Sequence, residues 1–317
     1  MLTQQLDLGS LLFGPARTAG GLTVVPLVRQ GGAPSPAYDI LGKALANRSV
    51  EITEVSEGGS VPELLFRNAG LRPVLLLDGE ELVGAKQNRV LNLTVLAPAT
   101  AEIRIPVSCI EQGRWHWRSR NFEAANRSLY ATARREKMSA VNRSMQRENS
   151  HRSDQSALWE SISDKASRLG VRSATGAASD IYEDRMTVLD RMVTDLRPLP
   201  DQVGAAFAVG GEVIGAEIFD SAQTFADLLP KLIRSYGLDA IDRERSDATL
   251  PPAEGAAVEG LLKRLDLLPT FKRPGLGLGE DLRFEDERMV GAALTHEGRL
   301  VHLSVFTKDT ARQRRVY

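Results

Sequence analysis

Two apolar stripes, in residues 87–96 and 102–111, constrain the fold more than any other feature of the sequence. Alternate residues of a β-strand share one face. In each segment one such face is apolar and ends in polar groups: Gln87, Arg89, Leu91, Leu93 and Val95 in the first, and Ile103, Ile105, Val107, Cys109 and Glu111 in the second. Both stripes must lie on the same side of a sheet to share a core, because a slip of one residue would put one stripe into solvent.

The connection between the two segments sets how they pair. With a turn over residues 97–101, the numbers of paired residues sum to 198, so Arg89 faces Cys109 and Gln87 faces Glu111. We therefore expect the polar side chains to meet at one rim of the apolar face. The predicted group, called the rim cluster below, consists of Glu80, Glu81, Lys86, Gln87, Arg89, Asn92, Cys109, Glu111, Arg114 and Trp115.

The residue types of the rim cluster suit a nucleotide. Arginine forks bind phosphates, an indole stacks on a base, and a carboxylate accepts ribose hydroxyls or activates water. The alternative is a satisfied polar network, in which Arg89–Glu111 is a partly buried ion pair and Trp115 is a core aromatic. Cys109 taken alone favours a small core residue over a nucleophile, because free cysteine commonly packs in cores.

The remaining patterns predict an α+β fold, with an antiparallel β-rich N-terminal half and a helical C-terminal half that contains two further hairpins. Asp78-Gly79 lies between two apolar runs, which is typical of a hairpin turn. Further strands are predicted at 22–29, 50–56 and 61–67, helices at about 38–46, 153–170, 179–198, 221–236 and 254–267, and hairpins at 203–219 and 288–306. Strands and helices are segregated along the chain, which argues against a doubly wound sheet.

We predict one compact unit over residues 1–317. Its parts are a β-rich half (1–115), an Arg-rich connecting segment (116–152), helices and hairpins (153–306) and a polar tail (307–317). From Arg114 to Arg152 there are ten Arg or Lys and three Glu residues, with aromatic residues between them. Such a segment could grip nucleic acid, but the overall net charge of -1 favours a solvated surface.

Composition excludes several classes of protein. A single cysteine rules out an intrachain disulfide and fits a reducing cytoplasm, where we expect the protein to act. No CxxC or HExxH motif is present, so we predict no metal ligand set. No window of about 18 apolar residues exists, so we predict no membrane partner. The sequence leaves the cofactor and the oligomeric state unassigned.

Residues 275–281, GLGLGED, allow two interpretations. Their backbone N–H groups could cradle a phosphate. They could equally connect a helix to the last hairpin, which we favour because no helix is predicted directly after them. Packing near the rim cluster would make this loop part of the site.

Two motifs carry a family resemblance. The run L-x-D-G-E-E-L-x-G-A-K-Q-N-R-x-L-N ends at Asn92, and I-P-V-S-C-I-E-Q-G-R-W ends at Trp115. Together they resemble the prokaryotic domain family named for its association with ADP-ribosylglycohydrolases and rhodanese-phosphatase proteins. The resemblance implies a role in pathways that handle ADP-ribose or other NAD-derived nucleotides. By motif match it implies site positions at Glu80, Gln87, Arg89, Asn92, Cys109, Glu111, Arg114 and Trp115.

Three functional hypotheses follow. The first is an enzyme acting on a nucleotide related to ADP-ribose, with catalytic candidates Glu80, Cys109 and Glu111 and binding candidates Gln87, Arg89, Asn92, Arg114 and Trp115. In it the two arginines hold phosphates, Trp115 stacks, and Glu111 or Glu80 acts as general base. The second is a non-catalytic nucleotide-binding or sensor module that uses the same pocket. The third is a single-strand nucleic-acid binder that uses residues 114–152.

Overall fold

The computed structural model describes residues 2–56, 62–243, 253 and 255–308, and within these ranges the fold is α+β. The helices are α1 (Leu2–Gln5), α2 (Leu41–Ala46), α3 (Ala131–Glu148), α4 (Gln155–Leu169), α5 (Ala178–Asp195), α6 (Ala222–Arg243) and α7 (Gly255–Leu265). The strands are β1 (Leu11–Phe13), β2 (Arg17–Ala19), β3 (Leu22–Arg29), β4 (Asp39–Ile40), β5 (Val50–Glu54), β6 (Glu63–Asn68), β7 (Val74–Leu76), β8 (Glu80–Gly84), β9 (Arg89–Leu91), β10 (Val95–Ala97), β11 (Ala101–Cys109), β12 (Phe122–Ser128), β13 (Gln202–Val209), β14 (Glu212–Phe219), β15 (Thr270–Pro274), β16 (Glu280–Glu285), β17 (Met289–His296) and β18 (Arg299–Thr307).

One compact unit draws on both ends of the chain. It comprises the described residues of 1–36, 190–274 and 279–317. Its centre is an antiparallel sheet in the order β1-β3-β13-β14-β18-β17-β16-β15, with β2 also paired to β3. Small residues of β13 and β14 flank a turn at Gly210-Gly211, where both glycines have positive φ. The hairpins predicted at 203–219 and 288–306 are both present in this sheet.

The other compact unit comprises residues 37–189 and 275–278, as far as they are described. Six of its strands form a sheet in the order β12-β8-β9-β11-β6-β5. The two edge strands meet at an antiparallel bridge between Thr53 and Asn121, so the sheet closes on itself. Inside it, alternate residues of each strand form an apolar core that includes Ile52, Phe66, Leu82, Leu91, Ile105, Val107 and Phe122. Strands β10, β7 and β4 form a separate three-stranded sheet.

The predicted register is confirmed at the rim, but the predicted hairpin is wrong. Cys109 pairs with Arg89 and Val107 pairs with Leu91, as the sum of 198 requires. The continuation of the first segment, β10, pairs with β7 instead of β11, while the first part of β11 pairs with β6. The chain leaves the strand at Asn92, whose amide donates to the carbonyl of His151 and accepts from Ser108. These bonds anchor the bend.

The Asp78-Gly79 turn is present, but it does not join a hairpin. Gly79 has a φ of +81°, as such a turn requires. The flanking strands pair elsewhere, β7 with β10 and β8 with β9 and β12. Asp78 is buried against Lys137 and Arg134 of α3, so the turn faces a helix that the sequence analysis did not anticipate.

Two broader expectations also need correction. Strands β1 to β3 join a sheet made mainly of C-terminal strands, and β15 and β16 were not predicted, so the two halves do not separate strands from helices. The Arg-rich segment 116–152 contains β12 and α3, and α3 buries Met138, Val141 and Met145. Its composition hid the helix because Arg134 and Lys137 are themselves buried in ion pairs with Asp78. The prediction of one compact unit stays a prediction, and residues 309–317 of the polar tail lie outside the described part of the chain.

Local capping signals predicted other ends correctly. Helix α4 begins where Asp154 accepts a hydrogen bond from the N–H of Ala157, and it ends at Gly170, whose φ is +70°. The 275–281 loop connects β15 to β16 rather than a helix to the last hairpin, and its Leu278 donates to the carbonyl of Leu96 on β10 at 2.7 Å. Its contact is thus with β10 rather than with the pair of β9 and β11 that carries the rim.

Replacing Gly79 by alanine should test the turn. A Cβ there would lie 2.5 Å from Nε and 2.8 Å from Cγ of the buried Arg134 side chain, in addition to the strain of a positive φ. We expect Gly79→Ala to lower the free energy of unfolding by about 3 kcal/mol. The control is Gly170→Ala, which has a similar φ but open space around it and should cost about 1 kcal/mol. If urea unfolding gives the two variants equal losses of stability, the Arg134 side chain moves away from the added methyl group at little cost.

Candidate functional site

Three inward-facing polar residues meet at one end of the closed sheet. Glu54, Arg89 and Cys109 continue the interior faces of β5, β9 and β11, beyond the apolar residues Ile52, Leu91 and Val107. Each strand places its side chains on alternate faces, so the polar ends of three apolar stripes converge. Arg89 and Cys109 are fully buried, and Glu54 is nearly so. The rim expected from the sequence is therefore an interior end of the sheet.

Arg89 is held by one of its two terminal nitrogens. Its Nη1 donates to Oε1 of Gln87 and to Sγ of Cys109, both at 2.7 Å. Its Nη2 lies 3.7 Å from Oε1 of Glu54, an ion pair without a hydrogen bond. The guanidinium also lies 5.7 Å from the ring centre of Trp115, which is a cation–π distance. The predicted Arg89–Glu111 ion pair is replaced by Arg89–Glu54, and Glu54 was missed because its β5 segment carries no motif.

Cys109 is fixed by its surroundings on both the backbone and the thiol. The Gln155 side chain accepts from the backbone N–H of Cys109 and donates to its carbonyl, at 2.8 and 2.7 Å. The thiol donates to Oε1 of Gln87. Burial raises the pKa of Cys109 above its ordinary value, although Arg89 acts in the opposite direction. A thiol in this state stays protonated at neutral pH.

Glu111 and Arg114 form a second buried pair. Nε and Nη2 of Arg114 contact Oε2 of Glu111 at 2.8 and 2.7 Å. Burial raises the pKa of Glu111, but hydrogen bonds from Arg114, the Asn88 backbone and Thr175 outweigh it and leave the pKa below its ordinary value. Gln87 donates to the backbone carbonyl of Glu111 at 2.8 Å, as the register predicts.

The other donors of Arg114 are also satisfied within the protein. Nη1 donates to the carbonyls of Ala85 and His116 at 2.9 and 3.2 Å, and Nη2 donates to Oδ1 of Asn88 at 3.0 Å. A guanidinium with this many internal acceptors ties three backbone segments together. Its role is therefore to position the chain around Trp115.

Glu80 and Glu81 are buried as well. Glu81 makes a two-point ion pair with Arg127 of β12, at 2.5 and 3.0 Å. Burial raises the pKa of Glu81 above its ordinary value, although Arg127 opposes the shift. Glu80 accepts from the backbone N–H of Leu77 at 3.4 Å. Neither carboxylate is open to solvent, so both serve the structure around the turn and β12.

The exposed part of the site consists of two indoles, which lie around a lysine that is itself buried. Trp115 and Trp117 are each 49% exposed, although most large apolar side chains of the described chain are buried. The Lys86 ammonium lies 5.4 and 5.2 Å from their ring centres. We call Lys86, Trp115 and Trp117 the indole surface. Arg118 and Arg120 follow Trp117 along the chain at exposed positions.

The structure brings most of the rim cluster together, in two layers. Gln87, Arg89, Cys109, Glu111 and Arg114 form a buried hydrogen-bonded layer, and Lys86 and Trp115 lie at its outer side. Asn92 is separate in function, since its side chain binds Ser108 and His151 at the bend after β9. Sequence reasoning missed Glu54, Gln155 and Thr175, which reach the cluster from distant segments without a recognisable motif.

A cavity of about 650 Å³ lies elsewhere in the same unit. It is bounded by α2, β5 and β12 on the outer side of the closed sheet, and its lining contains none of the rim cluster. Glu51 and Arg67 in its wall pair across β5 and β6, which accounts for charge there without a ligand. Among the described residues, no group of three or more His, Cys, Asp or Glu side chains is arranged to hold a metal ion.

Acid titration should reveal the Glu111–Arg114 pair. Because the pKa of Glu111 is lowered by folding, its contribution to stability is present above its ordinary value of 4.5 and is lost as the pH falls through the folded value. We expect Glu111→Gln to lower the free energy of unfolding by about 3 kcal/mol at pH 7. The difference from wild type should shrink as the pH falls below 4.5. The control is Glu102→Gln, at an exposed position on β11. If urea unfolding shows that the difference in stability between Glu111→Gln and wild type does not change with pH, the stabilising role given to the Glu111–Arg114 pair is contradicted.

Comparison with known proteins gives a family. The model of the "ARG and Rhodanese-Phosphatase-superfamily-associated Protein domain" matches residues 10–306, which is most of the chain. No curated protein and no solved structure matches. No helix in the described ranges is long and apolar enough to cross a membrane. Because the family model matches residues 10–306, the chain belongs to the family of ARG and rhodanese-phosphatase-superfamily-associated protein domains.

Proposed function

We propose that the protein binds a nucleotide related to ADP-ribose, with the base stacked on the indole surface. The observation that carries the proposal is the pair of half-exposed indoles, Trp115 and Trp117, around the Lys86 ammonium. Indoles offer flat faces for a base, and an ammonium attracts phosphate. The family resemblance carried by the two sequence motifs implies the same class of ligand.

The phosphate would lie at the outer cations. Arg118 and Arg120 are exposed and follow Trp117 directly, so they add positive potential to that of Lys86. Arg114 is a poor phosphate ligand in this arrangement because Glu111, Asn88 and two backbone carbonyls already accept from it. This assignment moves phosphate binding from the buried arginines to the surface of the same segment.

Binding is better supported than catalysis by the rim cluster. A general base works best with a pKa near the working pH, whereas Arg114 and other donors lower the pKa of Glu111. Burial raises the pKa of Cys109, which keeps the thiol from acting as a thiolate nucleophile. We therefore infer a binding or sensor module first and an enzyme second.

The nucleic-acid hypothesis loses its main support in the Arg-rich segment. Arg127 is engaged by Glu81, and Arg134 and Lys137 are buried against Asp78. Three cations that composition assigns to a binding surface are thus internal. The exposed cations that remain next to the indoles suit a short ligand with few phosphates better than a long polyanion.

Tryptophan fluorescence tests the proposed ligand. Titration with ADP-ribose should quench emission, because a base stacked on an indole changes its environment. Base stacking on an aromatic side chain contributes about 1–3 kcal/mol, so Trp115→Ala and Trp117→Ala should each weaken binding about fivefold or more. Trp159→Phe, on α4 and not part of the indole surface, is the control and should bind as wild type does.

The comparison of variants decides the location as well as the ligand. Binding that survives loss of both indoles would place the nucleotide elsewhere and remove the argument made from Trp115 and Trp117. A folded wild-type protein that shows no response to ADP-ribose, ADP or NAD would overturn the proposed function. Thermal stabilisation provides an independent readout, since ligand at 100 times its dissociation constant adds about 2.7 kcal/mol.

A further inference from the structure

Two buried charged side chains inside the closed sheet keep polar atoms without a hydrogen-bond partner. Within the described part of the chain, Nε and Nη2 of Arg89 and both carboxylate oxygens of Glu54 have none. Nη1 of Arg89 is occupied by Gln87 and Cys109, so the orientation of the guanidinium is fixed. The atoms without partners form the edge of the guanidinium that normally binds two acceptors at once.

The carboxylate beside this edge determines which ligand it suits. Oε1 of Glu54 lies 3.7 Å from Nη2 of Arg89, so the two charges together are neutral. A phosphate or carboxylate on the Arg89 edge would be repelled by Glu54. A pair of neighbouring hydroxyls accepts from the guanidinium and donates to the carboxylate, which satisfies both sides without adding charge.

We propose that Arg89 and Glu54 form a subsite for the cis-diol of a ribose. The inference deepens the proposed nucleotide binding and rests on it for the rest of the ligand. Hydroxyl oxygens accept from Nε and Nη2 of Arg89, and hydroxyl protons are donated to Glu54. A site that hydrogen-bonds substrate hydroxyls rejects an analogue without them strongly, because its own buried polar groups then stay unpaired.

Trp115 connects this subsite to the indole surface. One face of its ring lies against the guanidinium of Arg89, while about half of the side chain is exposed. Trp115 therefore covers the guanidinium side of the Arg89–Glu54 pair. Access of a ribose requires this indole to swing aside, which places the sugar inside the sheet next to a base stacked outside it.

Ligands that carry or lack a ribose diol test the subsite on the unmodified protein. Affinities are measured by tryptophan fluorescence and calorimetry for ADP-ribose, ADP, 2′,3′-dideoxy-ADP and D-ribose. We expect a preference of at least tenfold, for ADP over its dideoxy analogue if the adenosine ribose enters, or for ADP-ribose over ADP if the terminal ribose enters. Hydrogen bonds to charged groups justify this size.

Glu54→Gln identifies the residue responsible. The variant removes one of two acceptors and should reduce the preference several-fold, whereas Glu51→Gln should leave it unchanged. Glu51 lies on the same strand with its side chain exposed on the opposite face, so it is a matched control. Circular dichroism confirms folding, and the ligand comparison on wild type holds even if the variant does not fold.

Each outcome separates this inference from the proposed function. Nucleotide binding with neither preference would overturn the diol subsite and leave nucleotide binding intact. Binding of D-ribose alone, lost in Glu54→Gln and kept in Glu51→Gln, would support the subsite while overturning nucleotide binding. No binding of any of the four ligands to folded protein would overturn both.

Discussion

The burial of the Arg89 guanidinium inside a closed sheet is the constraint on which the rest of the site depends. A buried charge is tolerated only with charged and hydrogen-bonded partners. Glu54, Cys109 and Gln87 supply them from three different segments, and the Trp115 ring supplies a face. Those segments must therefore converge at Arg89, the first residue of β9. The polar interior fixes which end of the sheet becomes the site.

A second layer of buried residues connects the Arg89 cluster to the exposed indoles. Glu111 follows Cys109 on the same segment and orients Arg114, whose remaining donors fix the carbonyls of Ala85 and His116. The backbone from 113 to 117 is held at several points, so the side chains of Trp115 and Trp117 extend from defined backbone positions. Exposed indoles on a well-anchored segment lose less conformational entropy when they bind a ligand.

Sequence reasoning recovered the local parts of this arrangement. The alternation of β9 and β11 predicted the Arg89–Cys109 pairing, because a register slip would expose an apolar stripe. It missed the route of β10 and the Glu54 partner, since both depend on which strands from distant segments share a sheet. The helix α3 was hidden because its basic residues looked solvated, although Arg134 and Lys137 are buried in ion pairs with Asp78.

The charge environment inside the closed sheet differs from that outside it, so each suits a different part of the proposed ligand. Inside the sheet, Arg89 is neutralised by Glu54, and a low dielectric would make any added anion costly. Outside, Arg118 and Arg120 are exposed to water and follow the two indoles along the chain, so their positive charge attracts a phosphate. A molecule with a neutral sugar next to a charged phosphate and a flat base matches this order of environments. A simple anion matches only the outer one, so the ligand we propose is a nucleotide rather than a phosphate or sulfate ion.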